Sequence, residues 1–227
     1  MSISKQDTAS SNHPWSKAST ETAKGPRART QRLMLETASR LMQSGVTPSV
    51  NEVSEEAGVS RATAYRYFPS QAALVQAVVN EGLGPILEWE SSFEGAEDRI
   101  ASLFDFSLPR IEAFEATFRA ALKLSLEQWA DRQAGNLDKK EEFVRGHRIQ
   151  LLEAAIEPLR DVLKKEEFER LLASLSLIFG IESILVLKDI NGLKTERAHE
   201  IIAWAAQALV RQAIVGESQE TASTDGA

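Results

Sequence analysis

Residues Ser49–Leu74 read SVNEVSEEAGVSRATAYRYFPSQAAL, and the rest of the chain is arranged around them. Val50, Val53 and Ala57 recur at i, i+3 and i+7, which lays one apolar stripe along a short helix. Gly58 follows, free to take the left-handed conformation that a tight corner needs. Ser60 stands where an N-cap belongs, its hydroxyl placed to accept from the backbone N–H of Ala62 or Thr63. Pro69 stops the next helix, Arg61 to Phe68, and Ser70 caps a third. The pattern predicts two short helices about a corner, then a longer one.

The second of these helices has an unusual outer face. At about 100° per residue, Ala64 and Phe68 point inward against the first helix. Ala62, Thr63 and Arg66 lie opposite, flanked by Arg61 and Tyr65 on one side and Tyr67 on the other. A solvated helix usually mixes Lys with Glu; this face has Arg, Thr and Tyr and no acid. Such a face suits a DNA major groove. Arg matches guanine edges, Ala and the Thr methyl match thymine methyls, and hydroxyls reach phosphates. The bland alternative is a small helical hairpin inside a core, but corner, cap, acid-free face and Pro stop coincide in one window.

The stretch Gly45–Leu74, GVTPSVNEVSEEAGVSRATAYRYFPSQAAL, resembles the N-terminal DNA-binding domain of the TetR family of bacterial transcriptional repressors. The Gly45 lead-in, the Ala57-Gly58-Val59-Ser60 corner and the Thr63-x-Tyr65-x-Tyr67-Phe68 helix carry the resemblance. Two positions depart from the family pattern. Gln71 stands where a Lys is usual, so a charged phosphate contact becomes at best a neutral hydrogen bond. Ala64 stands where a larger apolar residue is usual. Face and resemblance together give a DNA-facing set of Arg27, Ser49, Ser60, Arg61, Ala62, Thr63, Tyr65, Arg66, Tyr67 and Gln71. The resemblance further implies a homodimer, a palindromic double-stranded DNA operator, and a small-molecule effector that releases the repressor. Two recognition helices would then reach major grooves roughly 34–36 Å apart, or a multiple of that.

Composition narrows the rest. The 227 residues suffice for one or two domains with a sizeable core. With no Cys, thiolate nucleophiles, disulfides and zinc–sulfur sites are excluded. The N-terminus has no apolar run of the signal-peptide kind, and a cytoplasmic location is expected. Leu171–Leu187 is the most membrane-like run, but Glu182 interrupts it and it falls short of the ~20 residues a span requires. A buried helix is expected there, and no membrane association. The net charge of −7 conceals an asymmetry: from Lys24 to Asn80 there are seven basic residues against four acids. An acidic protein with a basic N-terminal module fits local contact with DNA without general adhesion.

Along the chain, residues 1–23 are expected to form a disordered tail, 24–83 the helix-turn-helix domain, 84–215 a helical regulatory and dimerisation domain, and 216–227 a loose tail. The expected fold is all-α. The first helix, from the basic segment Lys24–Arg29 to about Ser44, is expected to bury Leu33, Leu35, Ala38 and Leu41. Arg27, Arg29 and Arg32 on it either reach phosphates or the minor groove, or are plain solvated charge. Further helices are expected over about 96–111, 112–130, 139–163 with a kink at Pro158, 166–190, and 195–215.

No catalytic constellation is present: there is no GxSxG, HExxH, P-loop or dinucleotide fingerprint. Glu196-x-x-His199 has di-iron spacing, but such sites need a second copy, and the chain has three His in all. Neither a metal nor a cofactor is expected. Glu182, an acid in the most apolar helix, either points into a ligand cavity or pairs with a neighbouring Arg or Lys; we favour the pair. Phe104, Phe118, Trp129 and His147, with Arg148 beside it, are candidates for the wall of an effector cavity; the alternative for each is ordinary core or surface. The last two helices are candidates for a four-helix dimer interface through Ile184, Ala198, Ile202, Ala205 and Leu209, since small residues let helices approach closely. Two other readings compete: an enzyme on a helical bundle with an accessory DNA-binding module, and a ligand-independent structural DNA-binding protein.

Overall fold

The computed structural model describes residues 25–136, 142–143 and 146–224, with side chains as far as Gly216. Ten helices, and no strand among the described residues, make up the fold. The expected N-terminal tail lies outside the described residues.

Four helices form the N-terminal unit: α1 (Pro26–Gln43), α2 (Val50–Glu56), α3 (Arg61–Tyr67) and α4 (Gln71–Leu83). Each start follows from local chemistry. Pro26 sits in the first turn of α1, where its missing N–H costs nothing. Ser49 and Glu52 make a reciprocal capping box on α2, the Glu52 N–H donating to Ser49 Oγ at 3.2 Å and the Ser49 N–H to Glu52 Oε2 at 2.7 Å. Ser60 caps α3 and Ser70 caps α4, each accepting from the third residue onward. Gly58 turns the corner at φ +64°. Met34, Ala38, Met42, Val53, Ala64 and Phe68 form the shared core. The α1 face differs from expectation. Leu33 is exposed and the unbranched Met34 and Met42 go inside, filling the gap left by the small Ala64 and Ala38.

A turn over Gly84–Glu88 leads to the larger body, in which α5 spans Ala96–Ala113 and α6 spans Glu115–Gln133. The expected helix 139–163 is not continuous. Phe143 is non-helical, its N–H held by Gln128 Oε1 at 2.7 Å, and α7 covers only His147–Ala155. Pro158 ends the run in a short turn, Glu157–Leu159, because it lacks an N–H and disfavours helical geometry before it.

The expected helix 166–190 is also broken. After α8 (Lys165–Ile178) the chain bends by 50° into α9 (Ile181–Leu185), which widens over Val186–Ile190. Gly180 makes the break at φ +137°, and Ser183 Oγ donates to the carbonyls of Ile178 and Gly180 that the break leaves open. No single helix among the described residues is long and apolar enough to cross a membrane. The last helix, α10, begins at Thr195 as expected but runs to Thr224, so the segment read as a loose tail is largely helical backbone.

The two units are fastened together. α1 and α4 pack on α6, and α10 lies against α5 and α8. Arg110 of α5 donates to the carbonyls of Gly82 and Glu81, closing the C-terminus of α4. Gly84 is required beside it: a Cβ there would come within 2.7 Å of the Arg110 guanidinium, at a φ of +39°.

Candidate DNA interface and the cavity behind it

The α3 helix shows the face expected of it. Ala64 and Phe68 are buried, while Arg61, Ala62, Tyr65 and Arg66 are exposed and Thr63 and Tyr67 half-buried. Arg66 lies 5.5 Å from the Tyr67 ring centroid, so the ring supports the guanidinium without neutralising it. Arg61 is held back by Glu55 at 2.7 Å, in a pair exposed on both sides. Thr63 spends part of its hydroxyl on the cap, 2.9 Å from Ser60 Oγ. Arg27 is exposed on the first turn of α1. Arg40 and Glu56, 2.9 Å apart, link α1 to α2 at the surface.

Besides Ser60, the α3 cap, two more candidates have structural work. Ser49 caps α2, and its partner Glu52 is held below the ordinary carboxylate range by the Ser49 backbone and side-chain bonds. Gln71 turns its Nε2 to the carbonyls of Thr47 and Pro48, at 3.1 and 3.2 Å. That amide straps α4 to the loop before α2 instead of facing a phosphate, and we withdraw Gln71 from the DNA-facing set. Periodicity along one helix cannot reveal such a bond, because its acceptors lie on a different loop.

Behind this unit lies a cavity of ≈100 Å³ between α4, α6, α7 and the α8–α9 break. Phe118 and His147 line it, as expected. Phe104 does not: it is fully buried one layer further in, edge-on to Phe179 with centroids 5.0 Å apart, and Phe179 forms the wall. Trp129 is 58% exposed, on the outer side of α6, and is also absent from the lining. Arg148, named beside His147 from the sequence, lines it too, whereas sequence reading missed Gln76, Val79 and Leu83 on α4 and Phe143. The i, i+3, i+7 spacing of the α4 residues was visible, but only the position of α6 and α7 makes that face a wall.

Burial lowers the pKa of His147, which favours the neutral imidazole. Its Nε2 lies 3.1 Å from Asn80 Oδ1. Arg148 donates to both carboxylate oxygens of Glu182, at 3.0 and 2.7 Å, and to the Ser176 carbonyl at 3.0 Å. Glu182 is therefore the paired acid that sequence favoured, and its partner Arg148 lies on the cavity wall. The break at Gly180 makes room for it, since a Cβ there would meet the guanidinium at 2.9 Å.

The residues expected at a dimer interface divide. Ile184, Ala198 and Ile202 are buried inside their own body, so they are unavailable to a partner; Ala205 and Leu209 are half-buried. Apolarity alone does not separate the inner from the outer side of a helix that is apolar nearly all round. The outward apolar residues are instead Leu177 (76% exposed), Ile190 (77%) and Trp204 (67%). His199, expected on the surface, is half-buried with Nε2 3.9 Å from Glu112.

Residues 35–78 match the family model described as bacterial regulatory proteins, tetR family. No curated protein matches the chain by sequence. Among solved structures, a TetR transcriptional regulator from Rhodococcus sp. RHA1 superposes with a TM-score of 0.52 at 22% identity, over 82% of this chain and 97% of that one. A protein of Mesorhizobium loti MAFF303099 assigned to the same family gives a TM-score of 0.48 at 14% identity, over 85% of this chain and 98% of that one. The first likeness is one of fold, and it covers the body as well as the N-terminal helices. Residues 35–78 are thus similar to the DNA-binding segment of the TetR family of transcriptional regulators, on a chain whose all-α fold is like that of a solved TetR transcriptional regulator.

Proposed function

We propose that the chain is a ligand-responsive repressor: a homodimer that sets one α3 in each half of a palindromic operator and lets go when a small molecule fills the cavity. One observation carries the reading. A single helix, α4, has its first residue strapped to the loop before α2 and its Gln76, Val79 and Leu83 on the cavity wall. Its far end is pinned by Arg110. A molecule that widens the cavity pushes on the helix strapped to the loop before α2, and α2 is the helix that α3 packs against. Coupling of about 1–3 kcal/mol between the two sites changes operator occupancy several-fold to a hundredfold.

The exposed Leu177, Ile190 and Trp204 support a dimer built on the outer faces of α8, α9 and α10. A shallow groove of ≈250 Å³ along α10, lined by Trp204, Ala208, Arg211, Gln212 and Val215, gives that face relief into which a second copy can pack. The end of α4 at Leu83 and the turn from Gly84 support a division into a DNA-binding unit at 24–83 and a regulatory body from 84. A DNA target implies a cytoplasmic protein.

A genomic footprint of bound sites tests the reading. We expect a few palindromic promoter sites, bound by a dimer and released by a small molecule whose binding is weakened by Phe118→Ala. Binding spread by base composition, with no site-specific enrichment, would overturn it.

A further inference from the structure

The cavity itself restricts what can occupy it. Among its lining residues the formal cation is Arg148, and both of its arms are engaged by Glu182 and the Ser176 carbonyl. A carboxylate ligand would have to displace Glu182, and an ammonium would meet a guanidinium already at the wall. Most of the remaining wall is apolar: Val79, Leu83, Phe118 and Phe179.

One polar group is left over. Asn80 Oδ1 is an acceptor placed between Gln76 Nε2, at 2.9 Å, and His147 Nε2, at 3.1 Å. Gln76 Nε2 donates to Asn80 Oδ1, which leaves Gln76 Oε1 on the other side of the amide. That oxygen is shut off from solvent and receives no hydrogen bond among the described residues. A buried acceptor without a donor is costly, and a molecule that parts α4 from α7 exposes it to whatever enters. Filling such a site with a purely apolar group leaves the cost in place.

We propose that the cavity takes a small, neutral, largely apolar molecule bearing one hydroxyl or N–H donor, and that Gln76 Oε1 is the acceptor that reads it. The inference rests on the cavity being the effector site. At ≈100 Å³ the space as it stands is below the roughly 300–1,000 Å³ of drug-sized pockets, so a single ring is a suitable probe.

The test uses the full chain and four probes of similar size: phenol, toluene, benzoate and benzylammonium. Affinities are read from NMR shifts of the Gln76 side-chain amide and the His147 ring. We expect phenol to bind roughly five- to tenfold more tightly than toluene, the worth of one net hydrogen bond, and both to exceed the two ions. In Gln76→Met the phenol preference should disappear while toluene binding persists. The ranking in the unaltered protein stands as a test even if that variant folds poorly. Toluene equal to phenol, or benzoate or benzylammonium tightest, overturns the proposal but leaves the cavity as a ligand site. Shifts from none of the four at Gln76 or His147 overturn the cavity reading and this inference with it.

Discussion

The helix-turn-helix unit and the helical body are both built of short amphipathic helices, yet they are organised by different kinds of contact. In the N-terminal unit the decisive bonds span three residues: Ser49 with Glu52, Ser60 with Thr63, Ser70 with Ala73. In the body they span tens of residues. Arg148 reaches Glu182 across the α8–α9 break, and Arg119 and Lys188 bind α6 to the end of α9 through Asp189 and Glu115. The first kind fixes a rigid reading head from local sequence. The second makes a cavity whose shape depends on several helices at once.

The largest effect expected from this contrast is on assembly. Trp204 is outward on α10, so Trp204→Glu should leave the protomer core intact while breaking a dimer formed through that face. We expect a monomer by sedimentation and a loss of full-operator affinity of about a hundredfold or more, the usual return of bivalence. A dimer persisting in this variant would move the interface elsewhere.

Next comes the α8–α9 break. Gly180→Ala puts a Cβ against the Arg148 guanidinium at a φ of +137°, and should cost about 1–3 kcal/mol in denaturant unfolding. Gly146→Ala, where a Cβ meets nothing within 4 Å, should stay within about 0.5 kcal/mol. Equal effects at the two glycines would mean that the Arg148–Glu182 pair does not dictate the break.

In the reading head the expected costs are smaller because they are local. Ser49→Ala removes the hydroxyl half of the α2 capping box, leaving the backbone N–H bond to Glu52, and should cost about 1 kcal/mol. The smallest expected change is none: Gln71→Lys should leave the salt dependence of DNA binding where it was, because position 71 points at the Thr47 and Pro48 carbonyls. A salt slope steeper by about one unit would return this position to the phosphate backbone.

The same contrast explains what was legible in the sequence. The corner at Gly58, the caps at Ser60 and Ser70 and the inward turn of Ala64 and Phe68 were readable because the signal lies within one turn of the residue it governs. Thr195 as the start of α10 was readable for the same reason. The break at Gly180 was not: nothing within α8 or α9 marks this glycine as a break, and the guanidinium that requires it comes from α7. Phe104 and Trp129 misled in opposite ways, one too deep and the other too exposed, because an aromatic on an amphipathic helix does not reveal which neighbour covers it. Phe118, His147 and Arg148, named for their places on two neighbouring predicted helices, do line the cavity.

The central claim is that the outer face of α3 reads bases, and Arg66 is its most direct test. It is exposed, stacked over Tyr67, and placed at the centre of the face. The measurement is the affinity of Arg66→Ala for the operator and for random duplex, at one salt concentration, beside Arg27→Ala. We predict that Arg66→Ala loses about 1–3 kcal/mol on the operator and little on random DNA, so the ratio of the two affinities collapses. Arg27→Ala should weaken both alike. An unchanged operator-to-random ratio in Arg66→Ala would contradict the placement of the recognition face.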